Sequence, residues 1–315
     1  MSTPFGDLQA DRNVVMRGNL GDYQNLGVKW IRTNFWWDAI EAAQGYHNWA
    51  DWDNVIGTAA SMGFTMVAQL GGIPSWVSAS GGFSNPANVN AFASFAAAVA
   101  QHFAGAVRFF EVWNEPNIAN TWTPSQSRPA EYVNLLQSAN NAIKSVNSGY
   151  FVITGGLSPT PTSIWPNYMS VSEWMSAFYA AGGRGHYDAI GFHPYTYPLM
   201  PNDTAPWNGW VLMSNDLRNA MTSNGDSKPV WMTEFGAPTA GGGNALTEQQ
   251  QSDMLIQAVD YMDSHDWLGP LFWYSYQDQT LYQSSGAEKF FGLVNSTWGR
   301  KWAWYTYRQL SGSGS

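Results

Sequence analysis

Two glutamates sit where apolar strands ought simply to stop. Glu115 lies near the end of "FFEVWNEPN" (residues 109–117) and Glu234 near the end of "PVWMTEFG" (residues 229–236). In a chain with only 12% charged residues, a carboxylate at the end of so apolar a run asks for a reason. Two carboxylates facing a common space can act as proton donor and as nucleophile or base, the pair that hydrolysis of a glycosidic bond requires. One such glutamate alone reads equally well as a helix-start carboxylate settled by the helix dipole. Two of them, each inside a strand-end motif with polar neighbours, point to chemistry. Those neighbours are Arg32, Asn34, Gln69, Asn114, His193 and Tyr195, with Trp273 at the last strand end.

The elements that must position these groups are short β-rich runs separated by helical patterns. "KWIRTNF" (29–35), "FTMVAQL" (64–70), "VRFFEVW" (107–113), "YFVITGG" (150–156), "DAIGFHPY" (188–195), "PVWMTEFG" (229–236) and "PLFWYSYQD" (270–278) are near-continuous apolar runs. Parallel strands covered on both faces have this character. Between them, Phe92, Phe95, Val99 and Phe103 recur at helical spacing, as do Tyr132, Leu135, Leu136, Ala139, Ile143 and Val146. "GWVLMSNDLRNAM", "EQQQSDMLIQAVDYM" and "WGRKWAWYTYRQL" predict three further helices. An eighth strand falls on "STPFGD", followed by a helix that Asp11 caps and that runs to Leu26.

These alternations, with no break in composition, predict an α/β chain folded as a single-domain (β/α)8 TIM barrel over residues 1–310. Residues 311–315, "SGSGS", read as a flexible linker or tail. Chemistry in such barrels sits at the carboxyl ends of the strands, so Glu115 on the fourth and Glu234 on the seventh would face one bowl. A doubly wound open sheet fits less well, because no Gly-rich phosphate turn follows the first strand. The glycine pairs at 71–72 and 155–156 read as turn or strand-end signals.

Composition removes other classes. Net charge is −9 with 14 Lys+Arg, which leaves no basic stripe for nucleic acid and disfavours acidic membranes. No apolar run approaches the roughly 18 residues of a membrane span. The absence of Cys excludes disulfides and thiolate metal sites. The 5 histidines (47, 102, 186, 193 and 265) are scattered without HExxH spacing, so neither a metal nor another cofactor is expected. "HNWADWD" lacks the glycine and terminal glutamate of an EF-hand loop. "MSTPFGDLQADR" has no basic region followed by an apolar stretch, so no signal peptide is read there.

What remains conspicuous is 16% aromatic content with 18 Trp. Trp30, Trp113, Trp231 and Trp304 fall within predicted elements and are assigned to the core. Trp36, Trp37, Trp76, Trp122, Trp165 and Trp207 fall in loops after strands, on the face that would hold substrate. Sugar C–H faces stack on aromatic rings, so a tryptophan rim suits a polysaccharide cleft.

"WNEPN" with Glu115 and "WMTEFG" with Glu234 resemble the two catalytic signatures of the clan A glycoside hydrolases. "LGVKWIRTNFWWDAIEAAQGYHNWADWD" and "GFHPY" resemble the second-strand and sixth-strand regions of its family 39 and family 5 members. The four motifs stand in the correct strand order, and the resemblance spans roughly residues 5 to 310. It implies a retaining mechanism with Glu115 as acid/base and Glu234 as nucleophile. By the same resemblance Asn114 binds the sugar 2-hydroxyl and Arg32 keeps the nucleophile ionised. Tyr195 would contact the nucleophile, His193 the substrate, and Trp273 would form the floor of the sugar subsite. Tyr274 follows Trp273 where the clan often has Ser.

The expectation is therefore a retaining, endo-acting glycoside hydrolase on a polysaccharide or oligosaccharide. Trp36, Trp37, Trp76 and Trp122 are counted among its substrate contacts. Three alternatives stand beside it: a non-catalytic carbohydrate-binding barrel, a metal-dependent barrel hydrolase, and an exo-acting xyloside or arabinofuranoside hydrolase of the same clan. No nucleic-acid or membrane partner is expected, and the chain is expected to be a monomer. Low Lys with abundant Asn, Gln, Ser and Gly suits a secreted, cell-surface or virion-associated protein.

Overall fold

The structure is a computed structural model that describes residues 1–9, 15–119, 129–164, 167–278 and 286–312. Trp30–Trp36, Thr65–Gly71, Val107–Val112, Phe151–Thr154, Ile190–Phe192, Val230–Phe235 and Leu268–Trp273 are strands, and neighbours pair in parallel in chain order. They fall into groups of four and three, joined by parallel bridges between Ile153 and Ala189 and between Leu157 and Phe192. Residues 1–3 close the ring. Ser2 pairs with both Arg32 and Tyr274; its N–H donates to the Trp273 carbonyl at 2.8 Å, and the Thr3 N–H donates to the Arg32 carbonyl at 2.9 Å.

This short segment is the first stave, and the seven strands are the second to the eighth. The (β/α)8 barrel expected from the sequence is the fold. Its first stave is shorter than "STPFGD", because the chain is already helical over Phe5–Gln9. Pro4, which has no N–H to give a ladder, marks the change.

Helices cover the ring in the expected alternation, and their starts carry recognisable caps. Asn85 accepts from the Ala87 N–H with Pro86 at the first turn of Pro86–His102, and Thr247 with Gln250 forms a capping box on Glu248–Asp263. Val171–Ala180 was not foreseen, although Ser170 caps it by accepting from the Glu173 N–H. At ten residues its periodicity is too brief to stand out. The last helix begins at Trp302, later than "WGRKWAWYTYRQL" suggested. Ser311, assigned by sequence to the flexible tail, donates its hydroxyl to the Leu26 carbonyl at 2.6 Å. The Asp11 cap lies outside the described residues.

Two apolar layers result. The larger one lies between strands and helices and includes Phe35, Phe92, Phe95, Val112, Leu135 and Trp304. The smaller one fills the barrel: Val67, Ile153, Ala189, Trp231 and Phe272, with Trp30, Phe109 and Phe151 against them. The Trp231 ring stacks on Phe151 at 5.0 Å and meets Trp30 edge-on at 5.6 Å. A Cβ at Gly269 would lie 2.4 Å from Trp231, so the eighth strand gives up its side chain there to make room.

Further toward the carboxyl ends, the inward positions change character. Arg32, Gln69, Glu111, His193 and Thr233 are all at most 2% exposed and form a polar layer on top of the aromatic plug. Sealed from water below, these groups must satisfy one another. If the plug is the foundation of that layer, Trp231→Ala should cost about 3–5 kcal/mol of stability in denaturant unfolding. A loss below about 1 kcal/mol would mean that the barrel closes over the vacated space without needing the ring.

Candidate active site

Arg32 is the hub. It projects from the second strand into the polar layer, buried to 2% exposure, and its fork meets four acceptors. Nε donates to Glu111 Oε2, Nη1 to Glu234 Oε1 at 2.6 Å and to Ser2 Oγ at 3.1 Å, and Nη2 to Asn114 Oδ1 at 2.8 Å. Groups from the first, second, fourth and seventh staves are thereby tied at one point.

The fourth strand delivers Asn114 and Glu115 through an irregular backbone. Trp113 and Glu115 have φ of 77° and 44°, left-handed conformations that cost a non-glycine residue roughly 1–2 kcal/mol each. Neighbours hold them there. The Trp113 N–H donates to the Leu70 carbonyl at 2.8 Å, and the Glu115 N–H to the Gly156 carbonyl at 3.0 Å. From helix Pro129–Val146, the Tyr132 hydroxyl donates to the Val112 carbonyl at 3.0 Å and accepts from the Gly155 N–H at 2.7 Å.

A Cβ at Gly156 would stand 2.2 Å from His193 Nε2 and 2.5 Å from Thr233 Oγ1. The glycine at 156 is therefore a close-approach site beneath the carboxylates, which its reading as a turn signal did not suggest.

The seventh strand uses a register shift. In a regular pleat Thr233 and Glu234 would face opposite sides. The pairing slips between Met232 and Phe235, as at a β-bulge, and both side chains reach the interior while Phe235 turns out against Trp210 at 5.1 Å. Thr233 donates to Glu111 Oε1 at 2.9 Å, and Glu234 meets Arg32 and the Tyr195 hydroxyl, which donates to Oε2 at 3.0 Å.

His193 sits under both glutamates. Its Nδ1 is 3.0 Å from Glu115 Oε1 and 3.9 Å from Glu234 Oε2. Those two contacts bring both carboxylates to one imidazole nitrogen.

The charges are mutually adjusted. Burial pushes the Glu234 carboxyl up, but the charges of His193 and Arg32 and the hydrogen bonds from Tyr195 and Arg32 outweigh it, leaving it below the usual carboxylate value. Burial pulls His193 down, but the Glu234 charge and the hydrogen bond and charge of Glu115 carry it above its usual value. Burial opposes the charge on Arg32, yet Glu111 and Glu234 more than restore it.

A cavity of about 510 Å³ opens above these groups, and Arg32, Asn114, Glu115, Tyr195, Glu234 and Trp36 line it as the sequence suggested. Asn34 lines it too, and donates to Gln69 Oε1 at 2.6 Å. Other expectations need correction. Trp273 does not line the cavity: strand alternation sends Phe272 into the barrel and Trp273 out toward Leu255, Met262 and Tyr307. Tyr274, the next residue, faces the cavity instead, just before a cis peptide to Ser275.

Trp37 and Trp76 do not line the cavity either. Trp37 is fully buried and packs edge-on to Trp76 at 5.3 Å, both hydrogen-bonded to Glu41. They pin a loop to the barrel. His193, expected to touch substrate, is fully buried beneath the carboxylates. Trp207 is 44% exposed and away from the cavity lining, while Trp122 and Trp165 lie outside the described residues. Trp30, Trp113, Trp231 and Trp304 are core, as assigned.

Sequence reasoning passed over Glu111, Thr233, Tyr197, Glu288 and Phe291. Glu111 carried a signal: a carboxylate two residues after inward-facing Phe109 shares its face. Glu288 and Phe291 come from the loop after the eighth strand and line the cavity. That loop is held by buried Lys301, which donates to Asp278 at 2.7 Å and to the Phe290 carbonyl at 3.2 Å. Partial desolvation at the cavity mouth and the charges of Glu234 and Glu115 push the Glu288 carboxyl up. Among the described residues no group of three or more His, Asp or Glu is arranged to hold a metal ion.

Comparison with known proteins agrees with this arrangement. The sequence profile of the glycosyl hydrolase catalytic core matches residues 36–296, and the chain belongs to that family of glycoside hydrolases. No curated protein matches it by sequence.

Among solved structures it superposes on a family 39 glycoside hydrolase from Bacteroides cellulosilyticus WH2 with a TM-score of 0.76 at 19% identity, covering 99% of this chain and 63% of that one. A GH5_18 protein from Bifidobacterium longum subsp. infantis gives 0.72 at 16% identity, with 99% and 77% covered. A GH1 β-glucosidase from Exiguobacterium antarcticum B7 gives 0.67 at 17%, with 98% and 88% covered. The chain thus spans about 63% of the length of the family 39 structure. These likenesses establish the barrel.

The Arg32–Glu234 pair has a measurable pH signature. A carboxyl held below its ordinary value stabilises the fold above the unfolded pKa, and that contribution is lost as pH falls through the folded pKa. Arg32→Gln removes one of the cations, so the folded pKa should rise and the acid-dependent component shrink. Unfolding from about pH 7 to about pH 3 should then show a shallower pH dependence in the variant, together with a loss of about 3–5 kcal/mol near neutral pH from the buried Glu111 charge left without its partner. Parallel curves for the two proteins would argue against Arg32 as the cause of the shift.

Proposed function

We propose that the protein is a retaining, endo-acting glycoside hydrolase on an uncharged polysaccharide, with Glu234 as nucleophile and Glu115 as acid and base. The observation that carries this reading is the common contact of both carboxylates with His193 Nδ1, at 3.0 Å and 3.9 Å, beside a cavity of about 510 Å³. The low folded pKa of Glu234 suits a carboxylate that attacks the anomeric carbon while ionised. Arg32 donates to Asn114 Oδ1 at 2.8 Å, which supports a role for Asn114 in taking a sugar hydroxyl beside the nucleophile.

The charge around the cavity selects the substrate class. Glu115, Glu234 and Glu288 line it, while Arg32 is engaged by Glu111 and Glu234. Among the described residues that line the cavity Arg32 is the one cation, so an additional acid group on the sugar would meet repulsion there and uronates are disfavoured. Trp36, Tyr197 and Phe291 in the cavity lining offer aromatic surfaces for more than one sugar unit, which supports cleavage within a chain. A polymeric substrate and a surface rich in uncharged polar residues suit action outside the cell, at the cell surface or on a virion, by a monomer. The alternative of a binding-only barrel would not need the balanced pair of carboxylates.

Stereochemistry of azide rescue tests the roles. Glu234→Ala should abolish turnover, because no glycosyl-enzyme can form. With an activated aryl glycoside, Glu115→Ala should still form that intermediate and then stall. Azide, needing no base, should release a glycosyl azide of retained configuration. With Glu234→Ala it should attack from the opposite face and give the inverted product. The reverse pattern would exchange the two roles. Product sizing on neutral polysaccharides distinguishes internal cleavage, which yields a spread of lengths, from trimming, which yields one short product.

A further inference from the structure

The polar layer beneath the cavity contains a chain of hydrogen bonds whose direction can be worked out. Glu111 is fully buried and accepts at Oε1 from the Gly156 N–H at 3.0 Å and from the Thr233 hydroxyl at 2.9 Å, while Oε2 accepts from Arg32. Thr233 has one hydroxyl proton, and it goes to Glu111. Toward His193 Nε2, 3.1 Å away, its oxygen can therefore only accept, so Nε2 carries a hydrogen.

That leaves Nδ1 facing Glu115 Oε1 at 3.0 Å. A bare nitrogen lone pair and a carboxylate lone pair at that distance repel, so one proton lies between them. It is either on an imidazolium that donates to the carboxylate or on a carboxylic acid that donates to neutral imidazole.

We propose that His193 and Glu115 hold the proton of the acid step jointly, and that Glu111, acting through Thr233, is the positioning residue that enforces this sharing. The proposal rests on the glycosidase reading of Glu115. Glu111 then serves both carboxylates: through Arg32 it orients Glu234, and through Thr233 and His193 it keeps a proton beside Glu115. In the first step Glu234 attacks the anomeric carbon to form the glycosyl ester, the glycosidic bond breaks, and the shared proton passes to the leaving-group oxygen. Glu115 is left ionised, with neutral His193 still hydrogenated at Nε2. In the second step water attacks the anomeric carbon and gives one proton back to the pair, the bond to Glu234 breaks to release its carboxylate and the free sugar, and the starting state returns.

The groups that act on this proton are all close. Glu115 and Glu234 favour a charged His193, while Arg32 and burial oppose it. The Tyr195 ring stands edge-on at 6.2 Å, and Glu111 acts through the intervening hydroxyl.

Thr233→Val removes the hydroxyl but keeps the shape. Nε2–H then has no acceptor, and neutral His193 should move its hydrogen to Nδ1, where it donates to ionised Glu115. The acid proton is then lost at lower pH. Nitrogen NMR of protein labelled at histidine should find His193 Nε2 hydrogenated across the neutral range in the parent and in Thr233→Ser, and Nδ1 hydrogenated in Thr233→Val. An unprotonated Nε2 in the parent overturns the proposal whether or not any substrate is found.

Kinetics give the second readout. For a glycoside with a poor leaving group, Thr233→Val should lower kcat/KM by about tenfold or more and move the basic limb of its pH profile down by about one unit. Formation of the glycosyl-enzyme from a dinitrophenyl glycoside, which needs no proton, should change by less than about threefold. Thr233→Ser should restore the parent profile. An unmoved basic limb, or an equal loss with both leaving groups, would reduce Thr233 to a packing role and overturn the proposal. A parent without activity on any glycoside would instead refute the glycosidase reading, and the nitrogen spectra would still decide the state of His193.

Discussion

One buried cation organises this molecule. Arg32 lies inside the barrel at 2% exposure with an apolar plug of aromatic rings below it. A guanidinium in such a place is tolerable only if its fork is filled and its charge answered, because the effective penalty for burying an ion is several kcal/mol. Glu111 answers the charge from within the protein, and Glu234 does so from the cavity side. The two acids are not equivalent. Glu111 is sealed and takes only protein donors, while Glu234 keeps one edge open to the cavity. The permanent partner frees the other to enter chemistry without leaving the arginine unmatched.

The irregularities of the barrel gather around this hub. The left-handed residues Trp113 and Glu115, the register slip between Met232 and Phe235, and the close approach at Gly156 all lie within the layer that touches Arg32 or His193. Lower in the barrel the register also slips, between Met66 and Val67 and between Val230 and Met232, beside the apolar plug. Each irregularity around the hub aims a side chain that a regular strand would have pointed elsewhere. The cost of the unfavourable backbone is carried by contacts from other elements, such as the Tyr132 hydroxyl gripping both Val112 and Gly155. The strain sits where over-determination by neighbours can hold it.

This pattern explains what could be read from the sequence. Strands and helices were legible because parallel strands are uniformly apolar and helix faces repeat every three to four residues. The barrel followed from their alternation, and Glu115, Glu234, Arg32, Asn114 and Tyr195 followed from strand ends. Direction within the pleat was not legible. Whether Trp273 or Tyr274 faces the cavity depends on a one-residue phase, and a slip of one residue exchanges the two faces. Trp37 and Trp76 failed for a related reason: a loop tryptophan looks the same in sequence whether it faces a sugar or pins a loop. The first stave was obscured because three residues are too few to show any period. Glu111 was visible as an acid in an apolar strand, but its role depends on Thr233 and Gly156, which only the folded ring brings beside it.

The carboxylates of the cavity mouth bear on the same question of charge. Glu115, Glu234 and Glu288 face one space, and the charges of the first two push the proton affinity of the third upward. Such crowding is unfavourable with the cavity empty or holding a neutral sugar. In the proposed reaction it becomes favourable for the moment at which the anomeric carbon bears positive charge, as in the oxocarbenium-like transition state of glycoside cleavage. An interaction that is weak with the substrate and strong with the transition state lowers the barrier without tightening the ground state. Arg32 limits how far this can go, since it must hold Glu234 ionised without cancelling the field that the sugar meets. It does so from below, through one oxygen of Glu234, with Tyr195 on the other oxygen. The cation is thus placed behind the nucleophile, and the open edge of the cavity is left to the acids.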